Sequence, residues 1–353
     1  MNTFYPGPSK VYPQVRQYLL DAYDSGILSE NHRSGAFMEM CRKTLQLIHE
    51  KLNVPDGYTV VFVSSATECW EIIAQSFTGN GQPGFHFYNG SFGEKWFDYA
   101  RKIQPQSKAF VFGTEESAHF SDIPVPGENN VFCFTQNETS NGTHVTGETL
   151  AAVRHKFPAQ LIAVDATSSL GGADLPIADA DIWFGSVQKC LGLPAGLGLL
   201  IASPKAVETA EKINDRRFYN SFLFMRDNIL KFQTHYTPNV LSIYLLMRVL
   251  ESVENVRSIA ERLKKQAAGW YGFLEAHPVL KPLVHNLSVR SDTVIAVSAD
   301  EKIVSSVKQK ARTANIELGN GYGKWQKTTF RIANFPAITT EEITALKQVL
   351  SEP

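Results

Sequence analysis

The segment Asp181-Ile-Trp-Phe-Gly-Ser-Val-Gln-Lys189 ends an apolar run on a lysine and leads into a glycine-rich stretch. In open α/β sheets ligands sit beyond the carboxyl ends of the strands. An amine there, shielded from water, loses proton affinity and can form a Schiff base. Alone, the segment fits a surface lysine at the start of a loop somewhat better. The same residues contain Ser186-x-x-Lys189, a formal match to a serine–lysine acyl-enzyme pair; the companion elements that such enzymes require are missing, and the motif trails a strand instead of opening a helix. In Leu161-Ile-Ala-Val-Asp165 a carboxylate ends another apolar run, 24 residues before Lys189. Two neighbouring strands would bring both side chains to one edge of a sheet, where Asp165 can pair with a buried cation such as a protonated ring nitrogen. A plain helix or turn cap is the competing reading for Asp165.

Val60-Val-Phe-Val-Ser64-Ser-Ala-Thr67-Glu68 runs a strand into small residues and a helix start, which makes an anion cradle of backbone N–H groups and hydroxyls. Thr67 also fits an ordinary N-cap. No GxxxxGK[ST] motif occurs, and Gly319, Gly321 and Gly323 match a dinucleotide fingerprint only loosely and follow no evident strand. Arg331 lies in a short β-rich run, where Phe330 and Ile332 would face the opposite side. A guanidinium can grip a carboxylate with two parallel hydrogen bonds, though an arginine in such a strand is commonly a solvated one. His32-Arg33 lies in a polar loop. Nine histidines lack HExxH spacing, and four cysteines (Cys41, Cys69, Cys133, Cys190) form no CxxC pair, so the sequence suggests neither a metal site nor a disulfide framework.

These residues need a scaffold. Seven short β-rich runs (60–63, 84–88, 109–112, 131–134, 161–164, 182–184 and 199–202) alternate with helical patterns such as 67–77 and 93–103, which predicts a mainly parallel sheet flanked by helices. From Val240 to Ala268 the pattern reads as one long helix with an apolar stripe of Val253, Val256, Ile259, Leu263 and Ala267. A smaller α+β unit follows: strands at 293–297 and 328–332, a helix at 303–311, and a last helix opened by a Thr339…Glu342 capping box. The expected division is a large domain at 16–250, with 1–15 and 251–353 forming a small one. Thirty-four basic side chains against 35 acidic ones give no excess of positive charge for nucleic acid or an anionic membrane surface. The N-terminus lacks the charged and apolar regions of a signal peptide, and no apolar run is long enough to span a membrane, so a cytoplasmic protein is expected.

Taken in order, the set resembles the class V aminotransferases, fold-type I pyridoxal-phosphate enzymes, and within them the phosphoserine aminotransferase branch. Phe4-Tyr-Pro-Gly-Pro8, Asn31-His-Arg-Ser34 with Phe37, Asn137-Glu-Thr139, Gln188-Lys189 with Gly192 and Pro194-Ala-Gly196, and Thr237-Pro238 carry the resemblance over essentially the whole chain. It implies a homodimer with active sites at the interface, small-molecule substrates, and pyridoxal 5'-phosphate held as a Schiff base to Lys189. Asp165 would pair with the pyridinium nitrogen, Phe92 would stack on the ring, and Thr139 would bond its hydroxyl. Ala66, Thr67 and Gln188 would hold the cofactor phosphate, with Tyr236 and Thr237 reaching it from the partner subunit. Arg331 would bind the substrate α-carboxylate, and His32, Arg33 and Lys324 the substrate's phosphate. Five positions depart from the branch: Phe92 stands where it has Trp, Thr67 where it often has Arg, Tyr236 where Asn is usual, and Lys324-Trp325 where a His-Arg pair is common. The implied activity moves an amino group between glutamate and 3-phosphohydroxypyruvate in serine biosynthesis. The alternative is a class V enzyme for another small amino acid, of the alanine/serine–glyoxylate type.

Overall fold

The computed structural model describes residues 2–79, 82–118, 120, 123 and 130–351. Its main sheet has seven strands in the order Thr59–Val63, Gly198–Ala202, Ile182–Ser186, Leu161–Asp165, Val131–Thr135, Gly84–Tyr88 and Lys108–Val111. Gly198–Ala202 runs antiparallel to both its neighbours, and the five strands from Ile182–Ser186 outward are mutually parallel. The three central parallel strands are buried at every residue, because helices cover both faces; this is why they read as unbroken apolar runs and not as alternating ones. All seven runs expected from the sequence are strands of this one sheet, with ends that differ by no more than two residues.

A second sheet has the order Asn2–Phe4, Ile316–Asn320, Thr329–Ala333, Val294–Ser298 and Lys281–Pro282. Asn2–Phe4 pairs in parallel with Ile316–Asn320, so the first residues of the chain close an edge formed by its last fifth. The glycine-bearing stretch that follows no evident strand in the sequence is itself strand at Gly319. A Cβ there would lie 2.4 Å from Pro6 Cδ, so the close approach of the N-terminal segment explains the glycine. Trp270, Phe330, Phe335 and Leu346 belong to the hydrophobic cluster on this sheet; Trp183, Phe132 and Phe184 belong to the larger cluster around the main sheet.

The expected single helix from Val240 to Ala268 is two helices, Val240–Ser252 and Val256–Ala276. Val253 is the extended residue that ends the first, and the Asn255 side chain accepts the Arg257 N–H to start the second. The apolar stripe therefore begins at Val256 and continues through Ile259, Leu263 and Ala267, all buried, while Val253 lies in the turn. At the last helix, Thr340–Ser351, the capping box forms in both directions. Thr339 N–H donates to Glu342 Oε2 at 2.9 Å and Glu342 N–H to Thr339 Oγ1 at 3.3 Å.

Candidate active site

Parallel strands that end level with one another deliver their last residues to one place. Thr135 and Asp165 are register partners at the ends of adjacent strands, and Asp165 in turn pairs with Phe184, two residues before the end of its own strand. Lys189 follows three residues beyond that end. The result is a cleft of about 430 Å³, roofed by Tyr5, Pro6, Gly7 and Pro8 from the N-terminal segment and closed on the other side by Tyr322 and Arg331. A larger cleft, about 510 Å³, lies beyond Asn137 and is lined by Glu148, Lys264 and Asp292; neither Lys189, Asp165 nor Arg331 reaches it.

Lys189 is 7% exposed. Its Nζ donates to Thr139 Oγ1 at 2.9 Å and to Ser168 Oγ at 2.8 Å, and those two hydroxyls bond each other. Burial, reinforced by the Arg331 charge, pushes the amine down to about 8 against the opposing pull of Asp165. An amine at that value keeps a usable neutral fraction near pH 7 and can act as a nucleophile or take up a proton. Asp165 is 5% exposed and accepts from Trp70 Nε1 at 3.2 Å and from the Thr167 N–H at 2.9 Å, as well as from the Thr167 hydroxyl. Burial raises its pKa, while the Thr167 bonds, Lys189 and Trp70 act in the other direction. A cation in the cleft would be partnered by this carboxylate.

The Phe92 ring lies 5.4 Å from Lys189 Nζ and 5.3 Å from the ring of Tyr322. It rides on the first turn of the helix Ser91–Ile103, and that turn is fixed by a buried carboxylate. Glu138 accepts from Phe92 N–H and Gly93 N–H, each at 3.1 Å, and also from the Ser140 N–H and hydroxyl. An acid at a helix N-terminus is favourably placed against the dipole. Gly90 admits it, since a Cβ there would stand 2.4 Å from Glu138 Cγ.

Ala66 and Thr67 open the helix Ala66–Ser76 onto the cleft. Ser65 caps that helix, and the Ala66 N–H donates to Ser186 Oγ at 2.7 Å. Ser186 is thereby turned to the helix start, while Lys189 is held by Thr139 and Ser168, so the formal serine–lysine match forms no such pair. Arg331 is 4% exposed. Its Nε donates to the Asn320 carbonyl and one Nη to the Thr139 carbonyl, each at 2.7 Å, which aims the guanidinium at the cleft and fixes it. Burial lowers its pKa from the usual value. Phe330 and Ile332 are buried on the other face of the strand, as the alternation predicts.

Ala66, Thr67, Phe92, Thr139, Asp165, Gln188, Lys189 and Arg331 thus share one cleft. His32, Arg33, Tyr236, Thr237 and Lys324 do not line it within one chain. Arg33 and Thr237 are exposed, His32 and Tyr236 half-buried, and Lys324 is exposed with its amine over the Trp325 ring. Trp70, Ser168, Glu138 and Tyr322 also reach the site or brace it, and no motif in the sequence assigns them a role. Ser168 stands in the segment after Asp165 and Glu138 in the middle of Asn-Glu-Thr, so position in a motif was a signal for these two; Trp70 and Tyr322 carry none.

A class-V aminotransferase family model matches residues 121–333. This chain belongs to the class-V aminotransferase family. The chain is 30% identical to a phosphoserine aminotransferase of Corynebacterium glutamicum over 96% of its own length and 91% of that protein's. Among solved structures, a phosphoserine aminotransferase from Cytophaga hutchinsonii superposes with a TM-score of 0.93 at 32% identity, covering 99% of each chain. An aspartate aminotransferase from Thermus thermophilus gives 0.85 at 21% identity, covering 99% of this chain and 97% of its own, and shares the fold. The family's enzymes are pyridoxal-phosphate-dependent transaminases of fold-type I, with the cofactor bound through a Schiff base to a lysine, and this chain is one of them. The cleft fits that group. It holds a buried amine, a buried carboxylate and a helix N-terminus, and Gln188 Oε1 and Thr135 Oγ1 are buried there without a partner among the described residues. Among those residues no helix is long and apolar enough to cross a membrane.

Proposed function

We propose that this transaminase moves an amino group between glutamate and 3-phosphohydroxypyruvate, giving 2-oxoglutarate and phosphoserine. The observation that carries the reading is its near-full-length similarity, at 30% and 32% identity, to two proteins named phosphoserine aminotransferase. Bound in the cleft, pyridoxal phosphate supplies an aldehyde for the amine and a ring that withdraws electrons from the substrate's α-carbon. The chain's own residues do the rest. Lys189 holds and returns a proton at Nζ, steadied by Thr139 and Ser168. Asp165, kept in place by Thr167 and Trp70, presents a carboxylate to the ring nitrogen. Ala66, Thr67 and Gln188 hold the cofactor phosphate, Phe92 lies against the ring, and Arg331 takes the substrate α-carboxylate.

His32, Arg33, Tyr236 and Thr237 lie outside the cleft of their own chain, and this supports a homodimer in which they complete the partner's site. In this reading His32 and Arg33, with Lys324, bind the substrate phosphate, and residues 16–250 form the large domain with 1–15 and 251–353 as the small one. A cytoplasmic location follows from the same biosynthetic role. The test is an assay with glutamate as donor and 3-phosphohydroxypyruvate, pyruvate and glyoxylate as acceptors. The reading predicts a kcat/KM at least about 100-fold higher for the phosphorylated acid, the discrimination expected from two or more charge-assisted contacts. Equal or better use of glyoxylate or pyruvate would replace it with a small-amino-acid transaminase.

A further inference from the structure

Three basic side chains line the cleft among the described residues: Lys189, Arg331 and Lys95. The first two have work already. Lys189 is bonded to Thr139 and Ser168, and Arg331 is braced by two carbonyls toward the substrate's α-carboxylate. Lys95 has none. It sits three residues after Phe92 on the helix Ser91–Ile103, so both side chains leave the same helical face at the mouth of the cleft. Its Nζ lies 5.6 Å from the Phe92 ring and 5.0 Å from that of Tyr322, whose hydroxyl it hydrogen-bonds. Among the described residues it makes no ion pair. A cation whose one hydrogen-bond partner among the described residues is a phenol hydroxyl exchanges that partner readily for a phosphate or carboxylate, because charge-assisted bonds are roughly twice as strong as uncharged ones.

Resting on the reading of the site above, we infer that Lys95 determines specificity by binding the distal anion of the substrate: the phosphate of the phosphorylated acid and the side-chain carboxylate of glutamate in turn. Tyr322 holds the ammonium across the mouth until that anion arrives. The two substrates carry the same three features, an α-carboxylate, a reacting carbon and a second anion. One chain supplies one group for each: Arg331, Lys189 and Lys95. His32, Arg33 and Lys324 lie outside the cleft of their own chain and would join Lys95 at that anion across a dimer interface.

Non-reacting probes test this on the cofactor-loaded enzyme by calorimetry: 3-phosphoglycerate, glutarate, and lactate, which lacks a second anion. Lys95→Met should weaken 3-phosphoglycerate and glutarate about 10- to 100-fold, the effect of losing one charge-assisted hydrogen bond, and lactate by less than about threefold. Lys95→Arg should restore both acids to within about threefold. An equal loss for lactate, or no loss for either acid, overturns the inference. If the unaltered enzyme binds 3-phosphoglycerate no more tightly than lactate, the phosphoserine reading fails by itself and the glutarate arm still decides Lys95. Glutarate no tighter than lactate as well would overturn both.

Discussion

At Lys189, burial has brought an amine down to about 8. The sign of the pH dependence follows. Below that value the amine is protonated and cannot attack an aldehyde; as pH rises through it the neutral fraction grows and then saturates. Incorporation of pyridoxal phosphate into the stripped protein should therefore accelerate roughly tenfold per pH unit below about 7.5 and level off above about 8.5. Stopped-flow absorbance checks this, and a rate still climbing through pH 10 would mean an unperturbed lysine. In the proposed role Asp165 serves through its charge and not its shape. Asp165→Asn keeps the size and one acceptor for Thr167, so the fold should survive while turnover falls at least about 100-fold, the scale of removing a preorganised electrostatic partner. Steady-state kinetics beside circular dichroism separates the two effects.

At the scale of elements, the site is held by two short pieces that touch the reacting groups from outside the main sheet. The Asn-Glu-Thr segment sends Glu138 to the start of the helix that carries Phe92. Glutamine there loses one acceptor and leaves a buried N–H unpaired, a cost of about 1–3 kcal/mol. Glu138→Gln should lower the melting temperature by a few degrees, and an unchanged midpoint would show that the cap is unimportant. The N-terminal segment lays Gly7 against Lys189. Gly7 has φ +132°, and a Cβ would stand 2.7 Å from Lys189 Cε. Gly7→Ala should therefore slow cofactor incorporation sharply; equal rates in the two proteins would place the segment elsewhere.

How much of this the sequence displayed depends on whether the signal is local. The parallel strands were legible because burial on both faces writes them as continuous apolar runs, and Lys189 and Asp165 because each stands at the end of one. The break at 253–255 was not, since Val253-Glu254-Asn255 contains neither Gly nor Pro and the Asn255 cap looks like any polar residue. Asn2–Phe4 is a three-residue strand whose partner is about 314 residues away in the chain, and Ile316–Asn320, which it pairs with, also pairs with Thr329–Ala333 but carries two polar residues and a glycine that hide its strand character. Trp70, Tyr322 and Lys95 reach the cleft from three separate elements, so no spacing along the chain could gather them.

For the whole molecule, the residues that one chain leaves outside its cleft make the sharpest prediction about assembly. If His32 and Arg33 serve the partner's site, a Lys189→Ala chain and an Arg33→Ala chain are defective in different halves of a site. Refolded together, they would form mixed dimers with one intact site each, and random pairing would return roughly a quarter of the unaltered activity toward the phosphorylated acid. No recovery above the separate variants would mean that each chain uses its own loop. The exposed Leu20 and Tyr23 of the helix Val15–Asp24, just before that loop, give such a dimer an apolar surface to cover.

The chemistry rests on one amine that carries the cofactor. Borohydride reduction of the pyridoxal-phosphate-loaded enzyme, followed by peptide mass spectrometry, tests it most directly. A stable phosphopyridoxyl group is expected on Lys189 and on no other residue. A group fixed to Lys95 or elsewhere, or a protein left unlabelled, would contradict it.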